Sequence, residues 1–250
     1  DPKLNSSRDQ VSIVIPTYNG LKYTRMCLES IRKNTVHPYE LIVVDNGSTD
    51  GTIGYINEQD DVRLIENHEN RGYPAACNQG IEASTAPYIL LLNNDVIVTE
   101  YWLSRMFQGF FADAETGLIG PRTNDSAGFQ QVTAPSFDSA DALDEFARKM
   151  KIISMRQFRE VNYLSGFAML IDRKVIAEIG ILDERFGVGN YEDQDFCKRA
   201  EKAGFKMLIA NEVFIHHFGS RAFSENNLDY HAILTENRTI YEQKWSGTEA

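Results

Sequence analysis

Hydrophobic and polar positions along the chain fall into short apolar runs that alternate with stretches of helical spacing. Val11-Ser-Ile-Val-Ile15 is rich in β-branched residues and stops at Pro16-Thr-Tyr-Asn-Gly20, which predicts a strand and the loop at its carboxyl end. From Leu21 to Asn34 the apolar Leu21, Met26, Leu28 and Ile31 recur among charged residues, so a helix follows. Leu41-Ile-Val-Val44 predicts a second strand running into Asp45-Asn-Gly-Ser-Thr-Asp50, dense in turn formers and ending in a good cap for a helix from Gly51. Val62-Arg-Leu-Ile65 gives a third strand, and Asn70-Arg-Gly-Tyr-Pro74 opens a small-residue helix through Ala75, Ala76 and Ile81. Tyr88 to Leu92 is the fourth strand. Its unbroken apolar run, too short for a membrane span, fits a strand buried on both faces of a parallel sheet.

Strands alternating with helices as far as residue 110 imply an α/β fold with right-handed crossovers and a mostly parallel sheet. The fourth strand ends in Asn93-Asn-Asp95. Open α/β sheets bind ligands at that carboxyl edge, and a carboxylate among amide oxygens suits a hard divalent cation carrying phosphate. A plain turn accounts for the same triplet equally well. Neither G-x-G-x-x-G nor G-x-x-x-x-G-K follows the first strand, so NAD dehydrogenase and P-loop NTPase readings lose their support.

Beyond a helix around Tyr101 to Ala112 and a strand near Leu118-Ile-Gly120, residues 122–140 are polar without periodicity and predict a long loop. Leu143, Phe146, Ala147, Met150 and Ile153 then recur at helical spacing beside Arg148, Lys149, Lys151, Arg156 and Arg159. Such a basic amphipathic helix suits anionic lipid or an acceptor's phosphate; the plainer alternative is a helix covering the sheet with a solvated basic face. Asn162 to Ile171 returns to strand, and the helix Arg173 to Ile179 stops at Gly180. Phe186-Gly-Val-Gly-Asn190 leads into a helix from Tyr191 to Ala203 headed by Glu192, Asp193 and Asp195, acids that the helix dipole favours whatever their chemistry. Phe205 to Ala210 and Val213 to His216 read as two short strands, and Leu228 to Trp245 as a closing helix.

With 250 residues, 42% of them hydrophobic, the chain can fill one sizeable core, and a single domain over 1–250 is expected. A net charge of -11 argues against non-specific nucleic-acid binding. Cys27, Cys77 and Cys197 are odd in number and widely spaced, which fits neither a disulfide framework nor a zinc site and suggests a reducing compartment. No apolar run approaches the roughly 18 residues of a spanning helix, and the first residues lack a signal-peptide pattern. A cytoplasmic location is expected.

Five blocks stand in a telling order: Val14-Ile-Pro-Thr-Tyr-Asn19, Val43-Val-Asp-Asn-Gly-Ser-Thr-Asp50, Asn70-Arg-Gly-Tyr-Pro-Ala-Ala-Cys-Asn-Gln-Gly80, Leu91-Leu-Asn-Asn-Asp95, and Tyr191-Glu-Asp-Gln-Asp-Phe-Cys-Lys-Arg199 followed by His216-His-Phe-Gly-Ser220. Together they resemble the inverting GT-A glycosyltransferases of family 2 over roughly residues 11–246, and most of all the bacterial branch that transfers rhamnose, galactofuranose or hexosamines onto cell-surface glycans. The resemblance implies a mostly parallel nucleotide-binding sheet flanked by helices, with a small acceptor-side sheet. The nucleotide-sugar half would cover 1–121 and the acceptor and catalytic half 122–250.

It also implies roles. Asp45 would pair with the base, accepting the N3–H of uracil or thymine from a UDP- or dTDP-sugar; guanine's N1–H satisfies it too, and an Asx turn is the structural alternative. Pro16, Thr17, Tyr18 and Asn19 would line base and ribose, with Asn46 and Asn94 nearby and Arg71 close to base or diphosphate. Asp95 matches the last carboxylate of the family's D-x-D element and would hold Mn2+ or Mg2+, although Asn93 stands where aspartate is commoner. His216 would complete the metal site; His217 is the adjacent candidate, and a strand turns only one of the two inwards. Asp193 would be the catalytic base, with Glu192 orienting the acceptor, a hydroxyl of a glycan or glycolipid. Ser165, Gly166 and Phe167 would floor the donor sugar, and Phe186 and Tyr191 would stack on sugar faces. Peripheral contact with the inner face of the plasma membrane fits such an acceptor. A sugar-phosphate nucleotidyltransferase would need a glycine- and arginine-rich loop where Pro16-Thr-Tyr-Asn19 stands, and retention of Asp95 and Asp193 speaks against a non-catalytic binding module.

Overall fold

The computed structural model describes residues 8–126, 128–153, 157–219 and 229–246; Arg156, Ser220 and Leu228, named above, lie outside them. The amino-terminal part runs β1 (Val11–Thr17), α1 (Leu21–Asn34), β2 (Tyr39–Asp45), α2 (Thr52–Asn57), β3 (Val62–Glu66), α3 (Tyr73–Ala83) and β4 (Tyr88–Leu92). β3, β2, β1 and β4 lie side by side and all parallel. Every residue of β1 is buried, because alternate side chains meet helices on the two faces. Ile13 and Ile15 pack with Cys27, Leu28 and Ile31 of α1, while Val14 packs with Ala76, Cys77 and Ile81 of α3. Truncating one such core side chain to Ala would cost about 2–5 kcal/mol.

The second half continues the same sheet with β5 (Val96–Val98), β6 (Thr116–Thr123), β7 (Phe158–Val161), β8 (Ala168–Asp172) and β9 (Lys206–His217). The nine-stranded order is β3-β2-β1-β4-β8-β6-β9-β5, with β7 also on β9. β8 is antiparallel to both β4 and β6, and β9 is parallel to β6 but antiparallel to β5 and β7. The strands of the second half, expected as a small acceptor-side sheet, are thus joined to the parallel set through β8 on β4. The helices here are α4 (Trp102–Phe107), α5 (Ala140–Ile153), α6 (Arg173–Ile179), α7 (Glu192–Lys202) and α8 (Tyr230–Trp245).

Three details differ from the sequence expectations. The strand expected over 162–171 begins only at Ala168 as β8, with β7 before it over Phe158–Val161, and of the residues between them Tyr163, Ser165, Gly166 and Phe167 line a cavity. The two short strands expected near the end are one, β9, whose pairing with β6 jumps from Ala210 to Phe214 and so places an irregularity at the expected break. β5, only three residues long, carries too little pattern to be read.

Candidate active site

The carboxyl ends of β1, β2 and β4 meet the amino end of α7 around a cavity of about 330 Å3. Its wall carries Pro16, Thr17, Tyr18, Asn46, Asn94, Asp95, Ser165, Gly166, Phe167, Tyr191, Glu192 and Asp193. Asp95 and Asp193, 98 positions apart in the chain, therefore face one space. Asn19, Asp45, Arg71, Phe186 and His216 are not on this wall.

Asp45 is fully buried and its oxygens are occupied within the protein. Oδ1 accepts from the Gly47 and Ser48 amides at 3.0 and 2.8 Å, and Oδ2 from the Thr17 and Ser48 hydroxyls at 2.9 and 2.6 Å. Expected to read the base, it instead closes the turn that the motif's Gly and Ser make possible. Asn46, the next residue, is the one on the cavity wall. Its Nδ2 donates to the Gly72 carbonyl at 3.1 Å, and its Oδ1 accepts from Asn67 at 2.9 Å. Asn19 is also structural: with φ 57 it accepts from the Thr49 amide and its own amide donates to Ser48 Oγ, so it ties the β1 loop to the β2 loop. Asn94 donates to Thr24 Oγ1 at 2.9 Å and anchors the loop after β4 to α1. Arg71 is exposed, and Phe186 is fully buried beneath the glycine-rich loop.

The adjacent histidines separate as strand alternation requires. His217, opposite Val96, brings Nε2 to 3.2 Å from Asp95 Oδ1. His216, expected as the ligand, is turned away, with its ring against Phe137 and Phe218 at centroid distances of 5.5 and 4.7 Å. His217 Nδ1 lies 2.8 Å from the Asp125 carbonyl, which assigns its proton there and leaves Nε2 for the cavity. Burial opposes charge on this imidazole, but Asp95 and Asp125 together outweigh burial and hold its pKa above the usual value. Asn93 Oδ1 is buried with no hydrogen-bond partner, and Asn93 Nδ2 is 3.4 Å from His217 Nε2. A carboxylate, an imidazole lone pair and an orphaned amide oxygen at one spot fit a divalent cation. Among the described residues no group of three or more His, Cys, Asp or Glu converges to hold a metal, so the remaining ligands would come from a bound diphosphate or water.

At the other end, Asp193 and Glu192 start α7, where helix amides favour negative charge. Asp193 Oδ2 accepts from the Tyr163 hydroxyl at 2.8 Å and the Gly166 amide at 2.9 Å; Oδ1 accepts from the Gln194 amide at 2.8 Å. Glu192 Oε2 is buried without a partner. Burial raises the pKa of both carboxyls; for Asp193 the Gly166 and Tyr163 donors pull the other way, while for Glu192 the Asp193 charge adds to burial and lifts it well above the usual range. The pair therefore sheds its first proton at Asp193, the member whose anion has three donors. Residues 165–167 bridge the two ends: Phe167 stacks on His217 with ring centroids 5.1 Å apart, and Gly166 donates to Asp193.

Residues 12–180 match the family described as Glycosyl transferase family 2. The chain belongs to glycosyl transferase family 2. It is 35% identical over 214 residues to glycosyltransferase GlyG of Streptococcus pneumoniae, covering 82% of this chain and 68% of that protein. Over 234 residues it is 28% identical to glycosyltransferase AglE of Haloferax volcanii, covering 89% and 71%. The structure of GalNAc-T7 with UDP, GalNAc and Mn2+ superposes with a TM-score of 0.67 at 16% identity, covering 87% of this chain and 44% of that one. The fold is thus that of GT-A glycosyltransferases.

In this family 2 chain, sequence reasoning missed Tyr163, Tyr73 and Asn190 on the cavity wall. Tyr73 lay within a recognised block, and its hydroxyl donates to the Gly166 carbonyl at 2.8 Å. Nothing in the sequence marks Tyr163, whose partner Asp193 is thirty residues away.

Proposed function

We propose that this glycosyltransferase is inverting and metal-dependent, and that it moves a sugar from a UDP- or dTDP-sugar to a hydroxyl of a glycan or glycolipid in bacterial surface polysaccharide synthesis. The observation that carries this reading is the sharing of one cavity by the Asp95–His217 pair and the Glu192–Asp193 pair. The fold shared with GalNAc-T7, crystallised with UDP, GalNAc and Mn2+, supports the nucleotide-sugar and metal parts of this reading.

The donor's base and ribose rest against Pro16, Thr17, Tyr18 and Asn46. Asn46 Oδ1, with one hydrogen bond from Asn67, keeps a second lone pair able to accept the N3–H of uracil or thymine. Asp95, His217 and Asn93 Oδ1 would hold a divalent cation, which would supply positive charge against the diphosphate leaving group. Asp193 accepts the proton of the acceptor hydroxyl as that oxygen attacks the anomeric carbon; the new C–O bond forms as the bond to the diphosphate breaks, with inversion. Glu192, retaining its proton, donates to a neighbouring acceptor oxygen. Ile152 is exposed beside Lys149 and Lys151 on α5, which suits peripheral contact with anionic lipid; loss of phosphatidylglycerol-vesicle binding in Ile152→Glu checks this.

Release of nucleoside diphosphate from a panel of UDP- and dTDP-sugars with Mn2+, followed by NMR of the product's anomeric centre, tests the proposal. Mn2+-dependent release with an inverted product is expected. A retained configuration, or equal rates in EDTA, contradicts it.

A further inference from the structure

We propose that Asn237 is a positioning residue for the transfer reaction: its amide, in the middle of α8, holds the loop before α7 in the shape that presents Glu192 and Asp193 to the cavity. The inference rests on the glycosyltransferase reading above. Asn237 is 4% exposed. Its Nδ2 lies 2.7 Å from the Phe186 carbonyl, 2.7 Å from that of Gly189 and 3.1 Å from that of Asn190. An amide nitrogen has only two hydrogens, so three carbonyls of one loop converge on a single donor and share it.

The loop needs a hold from outside. Asn190 and Tyr191 are consecutive non-glycine residues at φ 75 and 73, a left-handed pair placed immediately before Glu192. Tyr191, the N-cap residue of α7, makes no side-chain capping hydrogen bond. Asn190 Nδ2 and Glu192 Oε2 are both buried without partners, a second cost carried by this segment. Left to itself the loop would relax by rotating Asn190 and Tyr191 out of that conformation, and the two carboxyls would turn with them. Farther along α8, Lys244 Nζ reaches Asp183 at 2.7 Å and the fully buried Asp195 at 2.6 Å, and the Trp245 indole donates to Asp195 at 3.1 Å. α8 thus contacts residues flanking the loop on both sides, and Asn237 reaches the loop itself.

Asn237→Asp keeps the volume and replaces the two donor hydrogens with a carboxylate that repels three carbonyls; Asn237→Ala removes the group. Both are compared with wild type and with Thr235→Ala, on the exposed side of the same helix. Steady-state kinetics are measured well below each melting temperature, with hydrogen exchange of the amides over 187–195. The expected result is a kcat lower by about 30- to 100-fold in both Asn237 variants, a donor KM within about twofold of wild type, and exchange faster by about tenfold confined to that segment. Thr235→Ala matches wild type in all three. Unchanged kcat and exchange in the Asn237 variants overturns the inference, and so does exchange that rises equally across the sheet, the mark of a general structural role. If wild type itself releases no nucleotide from any donor, the glycosyltransferase reading fails, and the exchange data alone decide whether Asn237 holds the loop. Should Asn237→Asp not fold, Asn237→Ala decides by the same readouts.

Discussion

On the proposed reading Asp193 takes the acceptor's proton, and its surroundings set its working range. It must be a carboxylate to take the acceptor's proton, and burial lifts its pKa above the usual 3.8. Activity should therefore fall on the acid side at a higher pH than an exposed aspartate would give. Asp193→Asn should lower kcat by about 10^2- to 10^4-fold while nucleoside diphosphate binding persists, as equilibrium titration would report. Tyr163 donates to this carboxylate and so stabilises its charged form. In Tyr163→Phe the acid limb of kcat/KM should move up by about one pH unit, the worth of one hydrogen bond to a charge; an unmoved limb would remove Tyr163 from the site's electrostatics. Glu192 works in the opposite sense for stability. Its folded pKa is raised well above 4.5, so the folded state holds a proton that the unfolded chain gives up, and stability is lost as pH rises from about 4.5 towards the folded value. Glu192→Gln, which cannot ionise, should gain in melting temperature over wild type as pH rises from 4 to 8, and a constant difference across that range would contradict the assignment.

At the scale of elements, the loop after β3 and the loop before α7 touch at Gly72. Its φ is +87, and a Cβ there would stand 2.0 Å from the Gly187 carbonyl oxygen. The Gly72 carbonyl also receives Asn46, so one residue joins the loop after β2 to the loop before α7. Gly72→Ala should destabilise by about 1–3 kcal/mol from overpacking, with a further cost of about 1 kcal/mol for the backbone conformation, seen as a lower denaturation midpoint. An unchanged midpoint would mean that the two loops separate freely. Elements were legible where the pattern is local. β1 to β4 and the helices between them follow from runs and periods read directly along the chain. β5 and the gap between β7 and β8 were not, because pairing partners far away in sequence set them. The preference for His216 over His217 rests on the resemblance, and alternation says only that one of the two faces inwards; the pairing of β9 with β5, which brings His217 opposite Val96 and beside Asp95, is not written in the local pattern.

Over the whole molecule, the five sequence blocks located the cavity because they mark where strands end, and strand ends in a parallel sheet gather at one edge. They located roles less well. Asp45 carries the motif's carboxylate yet spends it on the turn, leaving Asn46 at the wall, and Asn237 sits in a helix whose sequence looks like simple cover. A carboxylate in a motif is as readily a backbone acceptor as a ligand group, and only three-dimensional partners separate the two. Among the described residues no helix is long and apolar enough to cross a membrane. The proposed function divides the labour across the sheet edge, with cation and diphosphate near β4 and β9 and proton transfer at α7. Isothermal titration of UDP and dTDP, with and without Mn2+, into wild type, Asp95→Asn and Asp193→Asn tests this most directly. The account predicts that wild type and Asp193→Asn gain the same affinity from Mn2+, and that Asp95→Asn loses that gain. Equal Mn2+-dependent affinity in Asp95→Asn, or its loss in Asp193→Asn, would contradict it.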